Sequence, residues 1–497
     1  LDGSVEHLGP SYIVSARLVS ALDGTELATF RATADTDGEL IAALGGLAKD
    51  VRERVGESLK SIRETKALER VTTSSLPALR KYVEGMFAID GLDDRERGQS
   101  LLYEATALDS TFAMAWRRIA ASYSGQGSGK AAQIAAIENA YRFRDRLSDN
   151  ERLVTEAGYY SFGPTPDLDR TIAAYEALLE RDSVNTPALN NVGLRYSVKR
   201  DYARSEALLQ RAIALPNPFG GSFGNLAQAQ IAQGKFAAAE STSAQFEKVL
   251  PSNAGHWQNR MYIQVGRGDY AATEKLAREV FADPKRATQR DFAALSLGQV
   301  NLIRGRVREA LRWIGEAEGI QATRSGTRMP ELRASLDSAW IRAFYQGDAA
   351  GARDMVRRAL ARIPMESLPA SERLWTNLLA IAEASGDAAG ARSALQAFER
   401  DLPSMAKAPG ELEEAKGVAA LAAGRPDEAI GRFREANRLY ASCERCTMIN
   451  LARAFDLAGQ RDSAIAYFQK FADTPHSFMF EDQDYLAGSY KRLGELY

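Results

Sequence analysis

The sequence predicts a mainly all-α protein: a superhelical solenoid of helix–turn–helix repeats, preceded by a small partial α/β unit of antiparallel hairpins and one long helix. Three observations carry this reading. A six-residue pattern returns at 34-residue intervals, as Pro166–Thr171, Arg200–Ser205, Gly234–Ala239 and Gly268–Thr273. A second ladder, Leu189, Phe223 and Trp257, keeps the same 34-residue step. Only residues 1 to about 33 break the helical periodicity, with apolar runs that read as strands.

In the hexapeptides the third place is large and apolar (Leu168, Tyr202, Phe236, Tyr270) and the sixth is small (Thr171, Ser205, Ala239, Thr273). A small sixth residue lets two antiparallel helices approach closely, while the third packs the turn against its neighbour. Self-similarity at this period resembles the tetratricopeptide-repeat family. An array of that kind grows by stacking, so 497 residues need not divide into three or four globular domains.

Composition excludes several classes. Hydrophobic residues make up 45% and charged ones 26%, as in ordinary soluble protein. A net charge of −2 supplies no field for nucleic acid or an anionic membrane. No apolar run is long enough to span a bilayer. Two cysteines cannot build a disulfide framework.

At the N-terminus, Tyr12–Val19 reads as a strand entered through Gly9-Pro10 and left through Asp23-Gly24, a hairpin signal. Glu26–Arg31 is the returning strand and Gly3–Leu8 the preceding one. Thr36-Asp-Gly-Glu39 then forms a capping box, and Leu40, Leu44, Leu47, Val51, Val55, Leu59 and Ile62 mark one face of a long helix. The segments Leu1–Val5, Val14–Val19 and Asp23-Gly24 resemble the second half of a TolB-like (FlgO-like) domain, without that family's opening strand and helix. The resemblance covers residues 1–65. It implies a bacterial setting, in which such a unit joins a Ser/Thr kinase, adenylate cyclase or DNA-binding domain to a repeat tail.

Residues 66–75 read as a linker, with Ser75 as N-cap and Pro77 in the first turn of the helix that follows. About eleven repeats are then expected over 76–489. Their further turns lie at Asp93–Gly98, Gly127–Ala132, Gly305–Ala310, Gly347–Ala352, Gly386–Ala391, Gly424–Ala429 and Gly459–Ala464. The longer late spacings are assigned to loops, at Gln321–Pro330 and Pro364–Pro369, and Pro251, Pro284, Pro364 and Pro403 to the ends of second helices. Residues 490–497 read as the first helix of a truncated repeat, with Leu493 and Tyr497 projecting unpaired; self-association through both ends is expected.

No catalytic constellation emerges. Gly125–Lys130 lacks the first Gly and the Ser or Thr of a phosphate loop and follows a helix rather than a strand. Cys443 and Cys446 have no further Cys for zinc and read as two thiols in a loop, with a reversible disulfide as the alternative. His7, His256 and His476 pair with no nucleophile, and Asp93-Asp94 and Glu413-Glu414 read as solvated faces. No metal or cofactor is expected.

The tetratricopeptide resemblance implies a concave groove lined from each first helix, here by Asn190, Leu194, Gln228, Gln258, Tyr262 and Gln299. Asn191, Asn225 and Asn259, again 34 apart, read as inter-helix ties. The lining is amide-rich and lacks the Lys and Arg cluster that would clamp a peptide carboxylate. The resulting expectation is a non-catalytic scaffold holding a protein or peptide ligand. The alternative is the regulatory region of a bacterial Ser/Thr kinase or adenylate cyclase, and an RNA-reading array stands third. The cytoplasm is favoured, with the periplasm behind an upstream membrane anchor as the other compartment.

Overall fold

The N-terminal apolar runs fold into a three-stranded antiparallel sheet, and in the computed structural model every later element among the described residues is a helix. The structure describes residues 1–9, 11–20, 22–56, 73–90, 92, 94–123, 129–251, 253, 255–324, 328–405, 409–440, 447–474 and 485–497. Two compact units result, Leu1–Gly163 and Pro164–Tyr497.

In the first unit, β1 (Asp2–Leu8), β2 (Ser11–Val19) and β3 (Glu26–Ala34) lie in that order. Val14 faces Val5 on one side and Ala32 on the other. The β2–β3 turn closes through Gly24, at φ +72°, and through the Asp23 carboxylate, which accepts from the Thr25 amide at 3.2 Å. α1 (Asp37–Arg54) starts at Thr36, whose hydroxyl accepts from the Glu39 amide. The Glu39 carboxylate reaches the amide of Asp35, one residue earlier than a reciprocal box requires. Leu40, Ile41 and Leu47 bury against Val14 and Ala34, so α1 covers one sheet face. The helix stops at Arg54, short of the expected stripe: Val55 is exposed, and Leu59 and Ile62 lie outside the described residues.

Five further helices complete this unit: α2 (Leu76–Asp90), α3 (Arg95–Leu108), α4 (Ala113–Ser122), α5 (Lys130–Arg142) and α6 (Asp149–Phe162). Ser75 caps α2 by accepting from the Ala78 amide at 3.3 Å. α2 and α3 touch so closely that a Cβ at Gly85 would stand 3.0 Å from the Gly98 carbonyl; Gly98 is the small sixth residue of the weakest hexapeptide. At the next turn the expected register is wrong by one. Gly129, at φ +81°, is the N-cap of α5. The side chain four places on is Gln133, buried with its amide 3.2 Å from the Ala120 carbonyl, while Ala132 is only half-buried. The glycine-rich sequence hid which residue starts the helix.

The second unit opens with α7 (Leu168–Arg181) and continues in pairs. These are α8 (Thr186–Val198) with α9 (Tyr202–Ala214), α10 (Gly220–Ala232) with α11 (Phe236–Val249), and α12 (Gly255–Gly266) with α13 (Tyr270–Ala282). Then come α14 (Arg290–Ile303) with α15 (Val307–Arg324), α16 (Met329–Gln346) with α17 (Ala349–Arg362), and α18 (Trp375–Ala384) with α19 (Ala388–Asp401). Last are α20 (Pro409–Ala422) with α21 (Pro426–Leu439), α22 (Met448–Leu457) with α23 (Arg461–Asp473), and α24 (Leu486–Leu496). Each helix packs on the next, and first helices also meet across pairs, which is the tetratricopeptide arrangement.

The hexapeptide explains itself in this geometry. Its first residue ends the first helix in the left-handed region: Gly234, Gly268, Gly305, Gly347, Gly386, Gly424 and Gly459 have φ between +63° and +75°. Its second residue caps the next helix; Asp201, Asp269, Asp348 and Asp387 each accept from the amide three residues on. Its sixth is buried between the paired helices, with Thr171, Ser205, Ala239, Thr273, Ala310, Ala352, Ala391, Ala429 and Ala464 at most 1% exposed. Arg200 alone puts a Cβ into the left-handed position, at φ +63°. Since that conformation costs a non-glycine residue about 1–2 kcal/mol, offset partly by glycine's freedom in the unfolded chain, Arg200→Gly is expected to raise stability by up to about 1 kcal/mol. Urea unfolding measures it; a loss of stability would show that contacts of the Arg200 side chain outweigh the strain.

Two expectations about the long spacings divide. Around Gln321–Pro330 the extra residues lengthen helices rather than a loop, since α15 and α16 each run 18 residues. Around Pro364–Pro369 they do form irregular chain, in two short 3-10 turns. Pro251, Pro284, Pro364 and Pro403 each sit two residues beyond a second helix, as anticipated.

The C-terminal expectation fails for Leu493 and holds for Tyr497. Leu493 does not project from an unpaired helix: Leu486, Ser489, Leu493 and Leu496 are buried, and α24 packs on α23. It also reaches back to α14, where Ile303 joins the same apolar cluster and Tyr270 packs against it. Tyr497 is exposed. An amphipathic helix with an apolar face finds a partner wherever the array offers one, and here it is an earlier pair.

Candidate binding groove

The first helices of the pairs supply the residues expected to line a groove, and the structure sorts them into two kinds. Asn190 and Gln228 are buried, at 7% and 2% exposure. Asn190 ties α8 to α10: its carbonyl oxygen accepts from the Ser222 hydroxyl at 3.0 Å and from the Asn225 amide at 3.1 Å. Asn191 donates to the Tyr175 hydroxyl at 3.1 Å. Two of the three repeated asparagines thus act as inter-helix ties. Gln228 and Asn259 keep buried amide atoms with no hydrogen-bond partner among the described residues. Leu194, Gln258, Tyr262 and Gln299 are half-buried and face outward in part. Burial pushes the Tyr262 hydroxyl up to about 12.

A cavity of about 370 Å³ lies between α11 and α12, at Ser243, Arg260 and Gln264. Two more lie further along the array, beyond the residues expected to line the groove. A cavity of about 270 Å³ opens between α18, α20 and α22, among them Leu379, Glu383, Glu414, Val418 and Arg453. A neighbouring cavity of about 280 Å³ lies between α16 and α18, at Asp337, Trp340 and Asn377. Thr376, Ala380 and Tyr485 line both. Apart from Tyr485, every lining residue belongs to the first helix of its pair.

Four carboxylates, Asp337, Glu383, Glu411 and Glu414, stand among the apolar and amide residues of this surface. Glu383 forms an ion pair with Arg453, both largely buried. The Glu414 carboxylate accepts from the Tyr440 hydroxyl and the Asn450 amide, each at 3.0 Å. Its neighbour Glu413 pairs with Lys416 and Arg432. The expected solvated face at Glu413-Glu414 is therefore incorrect: both side chains are partly buried and serve different partners. Burial pushes Asp337 up to about 6, against the pull of Arg333 and of an Asn377 amide at 3.2 Å. Burial and the charge of Asp337 push Glu318, on α15, up to about 8. These groups come from five helices. Asp337 and Glu414 stand ten residues before Gly347 and Gly424, the place Gln258 holds before Gly268, and Arg453 stands six before Gly459, as Tyr262 does before Gly268. Glu318 and Glu383 share no such place.

The other sequence candidates separate widely. Lys130 approaches the Gln133 side chain at 3.4 Å and the Phe162 ring at 5.5 Å; Gly125–Ser128 lie outside the described residues. Cys443, Cys446, His476 and Asp93 also lie outside them, while Asp94 caps α3. The His7 ring lies tilted beside Tyr12, with ring centroids 4.8 Å apart. Burial lowers the pKa of His256. Among the described residues no group of three or more His, Cys, Asp or Glu is arranged to hold a metal, and no helix is long and apolar enough to cross a membrane.

No protein-family model and no curated protein matches the sequence. Similar solved structures include the APC/C hetero-tetramer Cut9–Hcn1, at 12% identity over 92% of this chain and 84% of that one, with a TM-score of 0.40. Yeast Tom70 is similar at 12% identity over 84% of this chain and 95% of that one, with a TM-score of 0.35. Naa15/Naa10 bound to HypK-THB is similar at 14% identity over 79% and 63%, with a TM-score of 0.24. At such values the fold assignment stands on the chain's own helix pairs and 34-residue period.

Proposed function

We propose that the chain is a non-catalytic scaffold that holds an extended segment of a partner protein against the first helices of its repeats. One observation carries this: two adjoining cavities of the second unit are walled by first helices of four successive pairs, with mixed apolar and hydrogen-bonding character. Sites of that make-up suit a peptide, whose backbone can meet amides while its side chains enter pockets. The half-buried Gln258, Tyr262 and Gln299 extend the same kind of surface along α12 and α14. A photocrosslinking residue placed at Gln258 or Thr376 tests this against a random peptide library. Selected peptides are expected to crosslink there at least about tenfold more than at exposed Ala237 on the second helix α11. Equal crosslinking at Ala237 would reject the groove.

A second reading concerns context. A three-stranded sheet with a helix across one face is what the TolB-like resemblance calls for. On that ground residues 1–65 are read as such a unit, and the scaffold as the regulatory region of a signalling enzyme.

A further inference from the structure

Two cavities of the second unit adjoin and share a ring. Tyr485, at the start of α24, lines both, together with Thr376 and Ala380. Its ring packs edge-on to Trp340 and Phe344, with centroids 5.0 and 5.1 Å away. Arg453 lies over its face, 5.0 Å from the centroid, while paired with Glu383. Gly488, one turn on, sits so near Phe344 that a Cβ there would meet the ring at 2.9 Å. The host site is built entirely by other helices: Trp340 and Phe344 by α16, Thr376, Ala380 and Glu383 by α18, Arg453 by α22. An aromatic side chain from outside these pairs therefore already occupies a box of aromatic and cationic groups, as a bound ligand's would.

We propose that Tyr485 is an internal plug in a binding site for a partner segment that carries an aromatic residue flanked by Lys or Arg. The aromatic residue takes the place of the Tyr485 ring between Trp340, Phe344 and Arg453. The basic flank follows from charge: among the described lining residues, Asp337, Glu383, Glu411 and Glu414 are acidic and Arg453 is basic. With the ring withdrawn, the cavities join across Thr376 and Ala380, leaving a continuous path over α16, α18, α20 and α22. Held in cis, Tyr485 competes at an effective concentration in about the millimolar range, so the site admits only partners that outbid it.

The inference rests on the groove proposed above and is tested separately from it. A random peptide library is selected on the full chain and on its Tyr485→Ala variant, with Tyr485→Phe as the ring-bearing control and Tyr485→Leu in reserve if alanine prevents folding. Peptides from the alanine variant are expected to share an aromatic residue beside Lys or Arg. They should bind that variant at least about tenfold more tightly than the wild type or Tyr485→Phe. Absence of that consensus, or equal affinity for all variants, overturns the plug. Peptides that bind wild type and variant equally, and crosslink at Gln258 or Thr376, would leave the groove standing and sink the plug. A selection that yields no peptides on either chain sinks both.

Discussion

Replacing Glu318 with glutamine is expected to raise stability by about 3–5 kcal/mol near pH 9 and to leave it nearly unchanged near pH 4. Glu318 is 7% exposed and held up to about 8 by burial and by the Asp337 charge, with Arg333 pulling the other way. One of its carboxylate oxygens has no hydrogen-bond partner among the described residues. In the unfolded chain its ordinary value is 4.5. Between these values the folded state holds the proton more tightly, so stability falls as pH rises through this window. Asp337, raised from 3.8 to about 6, begins the decline at lower pH, and Glu318 is the second charge to form beside it. Glutamine keeps the shape and never ionises. Urea unfolding at the two pH values measures the gain; an equal gain at both, or none near pH 9, would place Glu318 in contact with water.

Removing one partner of the Glu383–Arg453 pair is expected to cost about 3–5 kcal/mol, because the charge left behind is buried without its counter-ion. Glu383→Ala strands the guanidinium between Phe344, at 5.5 Å, and Tyr485, at 5.0 Å. Arg453→Ala also loses these ring contacts. The double change Glu383→Leu with Arg453→Met removes both charges while keeping volume, and is expected to recover most of the loss. Unfolding of the two single variants and the double variant decides the matter. Additive losses would mean that the pair is solvated and worth little.

What the sequence discloses here follows from what repeats. Left-handed glycines, capping aspartates and small sixth residues recur because every turn solves the same steric problem, so their places could be counted off from Gly234 or Gly268. Where one turn solves it differently, as at Gly129 and Gln133, counting fails by one residue. The groove was less legible. Family geometry picked Asn190 and Gln228, yet both are buried, and Asn190 is spent in tying helices together. Glu383, Glu414 and Arg453 come together because successive first helices share one side, and Tyr485 joins them from α24. Glu414 and Arg453 hold the turn-relative places of Asn190 and Tyr262, but the longer spacings after Gly268 move them off the 34-residue count. Glu383 and Tyr485 hold no such place. The docking of α24 was illegible for the same reason: apolar Leu486, Leu493 and Leu496 state that a face must be covered, but not by which pair.

That docking changes how the second unit can come apart. A linear stack loses its terminal helices first, since each end has one neighbour where interior pairs have two. Here Ile303 and Tyr270 share a cluster with Leu486, Leu493 and Leu496, so the last helix leans on a pair far up the chain. Fraying from that end must break the distant contact as well as the local one, and the pairs in between open less readily on their own. The same contact asks a long stretch of chain to be ordered before it can form, which places it late in folding. Unfolding of Pro164–Tyr497 is then better described as the breaking of a closed loop than as the peeling of a row.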